Sequence, residues 1–246
     1  MSNPTAAMIT IGDEILSGRT QDTNMNFLAK ELTARGIGLR ETRVVPDVAE
    51  EIIAAVNHLR KRYTYVFTSG GIGPTHDDIT ADCVAAAFGV NIDVREDARA
   101  ILAQNYANPE VDLNESRLRM ARIPDGATLI ENSVSKAPGF SLENVHVMAG
   151  VPSVFKSMVG VLLPTLRQGR AVLSLTVRAG MPEGELAGPL RELNEAWPGV
   201  DIGSYPFNRN GGFGADVVFR GDNQAELDRA AAALREYLGD RELPID

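Results

Sequence analysis

Two periodicities alternate along the first two thirds of the chain. Residues 6–11, Ala-Ala-Met-Ile-Thr-Ile, form a short and almost unbroken apolar run that stops at Gly12, as expected of a strand buried on both faces. From Thr23 the apolar positions shift to helical spacing, with Met25, Leu28, Ala29 and Leu32 on one face and Gly36 as the stop. A second strand is predicted over 37–45. A helix then turns Val48, Ile52, Ile53, Val56 and Leu59 inward, and a third strand covers 65–68. Further helices are predicted over 80–88, closed by Gly89, near 97–106 and near 114–121. Residues 145–148 read as a strand, and a Pro-led apolar helix runs from Pro152 to about Leu166. Strand and helix alternate in the manner of a parallel sheet covered on both faces, in one α/β domain spanning 1–168.

The pattern changes after that. Residues 171–177 alternate as a strand, 183–196 suit a helix, two strands flank a turn-rich segment at 208–214 with Gly211, Gly212 and Gly214, and 224–238 form a last helix. This predicts a small α+β domain of βαββα order over 171–246. Its roughly 70 residues make a marginal core, so it is expected to pack on the first domain.

Composition narrows the partners. With 33 acidic against 24 basic residues and a net charge of −9, no broad electropositive surface is expected for nucleic acid. No stretch approaches the roughly 20 apolar residues of a membrane span, and the amino terminus lacks the charge and apolar pattern of a signal peptide. The single cysteine, Cys83, excludes an intramolecular disulfide and reads as a small buried apolar residue. The expected location is the cytoplasm.

Chemistry concentrates in residues 68–80, Thr-Ser-Gly-Gly-Ile-Gly-Pro-Thr-His-Asp-Asp-Ile-Thr, which leave a buried strand and enter a helix. Glycines at Gly70, Gly71 and Gly73 let backbone N–H groups approach an anion, and the helix amino terminus adds positive dipole character. The same run also suits an ordinary βα turn. Asp77 and Asp78 in that loop repel an anion unless a cation bridges them or one holds a proton; as helix caps they would need no ligand. A second acidic segment, Gly12-Asp13-Glu14, leaves the first strand. Loops at the carboxyl ends of central strands converge in such sheets, which lets Asp13 face Asp77 and Asp78 and hold a divalent metal ion with them; Asp13 and Glu14 equally suit a solvated turn. Asp22-Thr23-Asn24 suits a helix cap or a ligand hydroxyl or phosphate. Lys136-Ala137-Pro138-Gly139-Phe140 and Gly150-Val151-Pro152-Ser153 read as two further loops. His58 and His146 have no metal-ligand spacing and are expected to be structural or at the surface.

Five motifs in order carry a family resemblance: residues 11–18, 22–24, 70–80, 137–140 and 150–153. Together they resemble the amino-terminal region of the competence/damage-inducible protein A (CinA) family, within the molybdopterin-binding domain superfamily that includes MoaB and Mog. The resemblance implies a three-layer α/β/α fold with a mostly parallel sheet and a pocket lined by the glycine loop and the acids, with Asp13 and Asp78 catalytic and Asp13, Asp77 and Asp78 on the metal, which is Mg²⁺, Mn²⁺ or Co²⁺. Ligand contacts are expected from Glu14, Asn24, Ser69, Gly70, Gly71, Gly73, Thr75, Lys136, Pro138, Gly139 and Gly150. Many relatives have Gly-Thr where this chain has Ser135-Lys136, and Lys136 offers a charge to phosphate.

The implied ligand is a phosphate-bearing nucleotide or pterin, and the chain is expected to form a homo-oligomer. Three activities fit the resemblance: metal-dependent hydrolysis of a nucleotide pyrophosphate such as ADP-ribose or FAD, molybdopterin binding or adenylylation in molybdenum-cofactor assembly, or ligand binding without turnover. Members that carry a further amidohydrolase domain deamidate nicotinamide mononucleotide. The sequence ends at Asp246, and that activity is not expected.

Overall fold

In the computed structural model, which describes residues 3–209 and 212–245, the first apolar run is β1 (Thr5–Ile11), buried at every position after Thr5. Ala7, Ile9 and Ile11 pack into one apolar cluster, and Ala6 and Met8 into another on the opposite face. This two-sided burial is why the run is continuous rather than alternating. The short turn α1 (Asp13–Leu16) is followed by α2 (Asn24–Ala34), which carries Leu28 and Leu32 into the second cluster. The chain continues through β2 (Gly38–Val45), α3 (Ala49–Leu59), β3 (Tyr65–Ser69) and α4 (Thr80–Phe88). Gly89, with a left-handed φ of 68°, ends α4. Next come β4 (Ile92–Val94), α5 (Glu96–Ala103), α6 (Pro109–Asp112), α7 (Glu115–Leu118) and β5 (Arg122–Pro124), with β4 and β5 paired antiparallel in a small separate sheet. The domain closes with β6 (Thr128–Ile130), β7 (Gly139–Leu142), β8 (Val145–Met148) and α8 (Pro152–Leu162).

The main sheet has the order β2-β1-β3-β8-β7-β6. Its first four strands are parallel, and β7 runs antiparallel to both neighbours. Residues of α3, α4 and α5 fill the cluster on one face and those of α2 and α8 the cluster on the other, giving three layers. The helices after β1 and β3 therefore leave on opposite faces, and a crevice opens between the carboxyl ends of these adjacent strands.

Some expectations change. Val48 is 43% exposed rather than inward, because it is the extended residue that precedes the first turn of α3. Residues 139–142 form β7 instead of a loop, and the helix expected near 114–121 is one short α-turn followed by a 3-10 turn over Arg119–Ala121. Strands of three or four residues carry too little alternation to be read from sequence.

The second compact unit, Arg170–Asp246, contains β9 (Leu173–Ala179), α9 (Glu183–Ala196), β10 (Asp201–Arg209), β11 (Gly212–Gly221), α10 (Gln224–Leu238) and β12 (Glu242–Leu243). Its antiparallel sheet has the order β10-β11-β9-β12. Val177, Val217 and Phe219 meet Leu186, Leu193, Leu227 and Leu234 of the two helices in one core. The unit is thus βαββαβ, one short strand longer than the sequence pattern predicts. Of the turn expected at 208–214, Asn210 and Gly211 lie outside the described residues. No helix among the described residues is long and apolar enough to cross a membrane.

Cys83 is buried at 3% exposure, and burial pushes its thiol up to about 11, so it packs as an inert small side chain. His146 is less bland. It sits in register with Phe67 on β3, ring centroids 5.2 Å apart, and its Nδ1 lies 2.8 Å from the Ser141 hydroxyl across the β7–β8 pair. Its Nε2 is buried without a partner, and burial lowers its pKa from 6.5 to about 4.

Folding thus favours neutral His146. Its contribution is intact above the unfolded pKa and is lost as pH falls from about 6.5 through about 4. Between pH 6.5 and 4.5 the wild type is expected to lose about 2 kcal/mol more stability than a His146→Leu variant. Urea denaturation at both pH values measures this difference, and parallel losses would mean that His146 is not neutral in the fold.

Candidate functional site

A cavity of about 660 Å³ occupies the crevice, walled by the loops after β1, β2, β3 and β8. Its floor is the glycine loop. Gly70 has φ 110°, and a Cβ there would stand 2.2 Å from the Ile11 carbonyl oxygen; Gly71 has φ 68°, and its Cβ would stand 2.1 Å from Thr80 Oγ1. No side chain fits at either position. The space is taken by a lock on the start of α4: the buried Thr80 hydroxyl donates to the Gly70 carbonyl at 3.0 Å, and the Thr80 N–H donates to the Gly71 carbonyl at 2.9 Å. Gly70, Gly71 and Gly73 all line the cavity. Backbone held this closely against a neighbouring strand is suited to contacting a ligand through N–H groups.

Asn24 fastens the loops to one another. Only 4% exposed, it donates through Nδ2 to Ser69 Oγ at 2.9 Å and to the Gly150 carbonyl at 2.7 Å. Asp22 fixes this residue in turn, its Oδ1 accepting from the Asn24 N–H at 2.9 Å. Asn24 and Ser69 are therefore ties behind the wall and not part of its surface, whereas Gly150 is in the wall.

Four carboxylates face the cavity: Glu14, Asp47, Asp77 and Asp78. Asp13, expected among them, is not in the wall; its backbone N–H donates to Asp47 Oδ2 at 3.1 Å. Asp47, from the loop after β2, was not expected. Its pKa is raised, first by burial and then, against the Asp13 N–H bond that lowers it, by the negative charges of Asp13, Glu14 and Asp77. Asp78 Oδ2 accepts from the Thr75 N–H at 2.8 Å and from the Thr75 hydroxyl, so Thr75 orients this carboxylate from outside the wall. On the other side, Arg119 Nη2 donates to the Asp78 carbonyl at 3.2 Å.

The loop over 135–138 contributes through Ser135 and Ala137. Lys136 between them has a left-handed φ of 56° and is not in the wall. Pro138 lines a small neighbouring depression beside Asp78, and Gly139 lies in β7, where a Cβ would meet the Val147 carbonyl at 2.3 Å. Tyr106, Asn105 and Met120, also unforeseen, complete the wall.

Among the described residues no three His, Cys, Asp or Glu side chains converge as a ready metal centre. The donors are nonetheless hard oxygens, and the crowding of charge around Asp47 is of the kind a divalent cation relieves. Magnesium is commonly held by one or two carboxylates plus substrate phosphates, a mode that needs no complete protein cage.

Residues 7–168 match the family described as "Probable molybdopterin binding domain", and residues 171–244 match "FAD synthase, middle domain". The chain belongs to the molybdopterin-binding domain family. A protein of Pyrobaculum calidifontis is 37% identical over 214 residues, which span 82% of this chain and 81% of that protein. A CinA-like protein of Gemmatimonas aurantiaca is 34% identical over 251 residues; the match takes in 94% of this chain and 58% of that longer relative. The crystal structure of CinA from Thermoplasma acidophilum, a protein of unknown function, superposes with a TM-score of 0.60 at 36% identity, covering 65% of this chain and 96% of that one. The similarity within the family is thus to CinA.

Gly71→Val tests the loop. Forcing a β-branched residue to a left-handed φ against Thr80 is expected to cost about 1–3 kcal/mol of stability and to weaken inorganic pyrophosphate binding at least about tenfold. Thermal unfolding and calorimetry read the two effects. Undiminished pyrophosphate affinity would reduce the loop to a turn.

Proposed function

We propose that the protein is a metal-dependent hydrolase of nucleotide pyrophosphate bonds, with ADP-ribose, FAD or a similar dinucleotide as substrate. The observation that carries this reading is the meeting in one cavity of a side-chain-free glycine loop with four carboxylates. Anionic phosphates at Gly70–Gly73 would be repelled by these acids alone, so a divalent cation between them is the arrangement that satisfies both. Asp77 and Asp78 on the glycine loop, with Glu14 from the loop after β1, would hold it. It would neutralise charge on the phosphates and lower the pKa of a bound water.

The protein's own groups then position the reaction. Backbone N–H groups of the glycine loop orient the pyrophosphate, while Thr75 and Arg119 hold the Asp78 segment in place. Water oxygen bonds to one phosphorus, the bridging P–O bond breaks, and the other phosphate leaves with its oxygen. Asp47, whose pKa is raised first by burial, accepts the water proton.

A second reading, pterin binding or adenylylation in molybdenum-cofactor assembly, is favoured by the family match over residues 7–168. Turnover of ADP-ribose, FAD, coenzyme A and dinucleotide polyphosphates, with Mg²⁺, Mn²⁺ and Co²⁺ in turn, separates the two. AMP release supports hydrolysis, whereas tight pterin binding without release supports the alternative. Asp78→Asn is expected to lower turnover on the order of a hundredfold or more with an unchanged thermal midpoint. Wild-type rates at saturating metal would remove Asp78 from the mechanism.

A further inference from the structure

Part of the cavity wall is neither acid nor glycine. Asn105 and Tyr106, in the turn after α5, line it, as does Met120. The turn is set by backbone bonds, Asn105 N–H to the Leu102 carbonyl and Tyr106 N–H to the Ala103 carbonyl, both at 3.1 Å. The Arg117 guanidinium lies 4.8 Å from the Tyr106 ring centroid and is itself held by an Nη1 bond of 2.6 Å to the Asp112 carbonyl. A ring backed in this way loses little freedom when something packs on its remaining surface. Met120 adds a polarisable thioether to the lining of the same cavity. Two residues from Arg117, Arg119 bonds the Asp78 carbonyl, so one short segment fixes the aromatic wall and the acidic loop relative to each other.

We infer that Tyr106 and Met120 form a ring-binding wall, which takes the planar heterocycle of a ligand whose phosphates lie at Gly70–Gly73. The ligand class is a phosphorylated planar heterocycle, nucleoside or pterin-like, with the Asn105 amide placed to hydrogen-bond the ring edge. This rests on the phosphate reading of the glycine loop. The cavity volume of about 660 Å³ suits such a molecule and exceeds what phosphate alone would need.

Calorimetry of the full chain with Mg²⁺ and four probes tests the wall: inorganic pyrophosphate, ribose 5-phosphate, AMP and FMN. Tyr106→Ala is expected to weaken binding of AMP, FMN or both by about tenfold or more, the ordinary worth of a base stacked on an aromatic ring, and to leave pyrophosphate unchanged. Tyr106→Phe should bind as wild type. Tyr106→Leu keeps much of the bulk without the π-face, should lose the same selectivity, and carries the test if the alanine variant does not fold. The arm that responds, AMP or FMN, identifies the ring. Equal losses for pyrophosphate and the ring-bearing probes would make Tyr106 a packing residue and overturn the inference. So would AMP and FMN binding no tighter than ribose 5-phosphate, with pyrophosphate still bound. Tyr106-dependent binding of AMP or FMN without any pyrophosphate binding would instead uphold the wall and overturn the phosphate reading of the loop.

Discussion

The cavity depends on how closely the backbone at Gly70 approaches the carbonyl oxygen of Ile11. Two adjacent parallel strands end side by side, and the loop after β3 folds back against the end of β1 with no room for a Cβ. Thr80 then closes the loop from the other side by bonding both glycine carbonyls. With the glycine carbonyls engaged by Thr80, the loop is rigid where it meets the cavity, and rigid donors bind without a further ordering cost. Helices that leave β1 and β3 on opposite faces keep the crevice open.

Around that backbone the protein gathers charge of one sign. Glu14, Asp47, Asp77 and Asp78 come from three separate loops, and the pKa of Asp47 is raised first by burial and then by the charges of Asp13, Glu14 and Asp77. Hydrogen-bonded ties hold the arrangement. Asn24, buried, joins the loops after β1, β3 and β8, the exposed Thr75 braces Asp78, and Arg119 anchors the same segment through the Asp78 carbonyl. Burying so many polar groups is tolerable because most are hydrogen-bonded, although Asn24 Oδ1 is left without a partner.

Several residues singled out by motif prove to act at one remove. Asp13 presents its N–H to Asp47, Ser69 accepts from Asn24, and Gly139 is small because β7 runs against the Val147 carbonyl. A motif records that a residue type is required, and close packing behind a site can require it as strictly as contact with a ligand does. Asp47 and Tyr106 escaped notice for the opposite reason. Neither stands in a glycine-rich or paired-acid run, and the available signal for Asp47 was its place just beyond the end of the strand predicted over 37–45.

The sequence by itself determined the layered α/β architecture, the change of character near residue 170 and the glycine loop, because these follow from local periodicity and from backbone conformations that few residues adopt. Helix α4 ends at Gly89, and α10 runs from the Asn223 side-chain cap to Gly239. Only the tertiary structure decided which acids share the cavity, that Asn24 faces inward, and that Tyr106 lines the same cavity as a glycine loop more than thirty residues away. Those outcomes depend on strand order and on the face from which each helix departs, and local sequence does not encode them because they are settled by non-local packing.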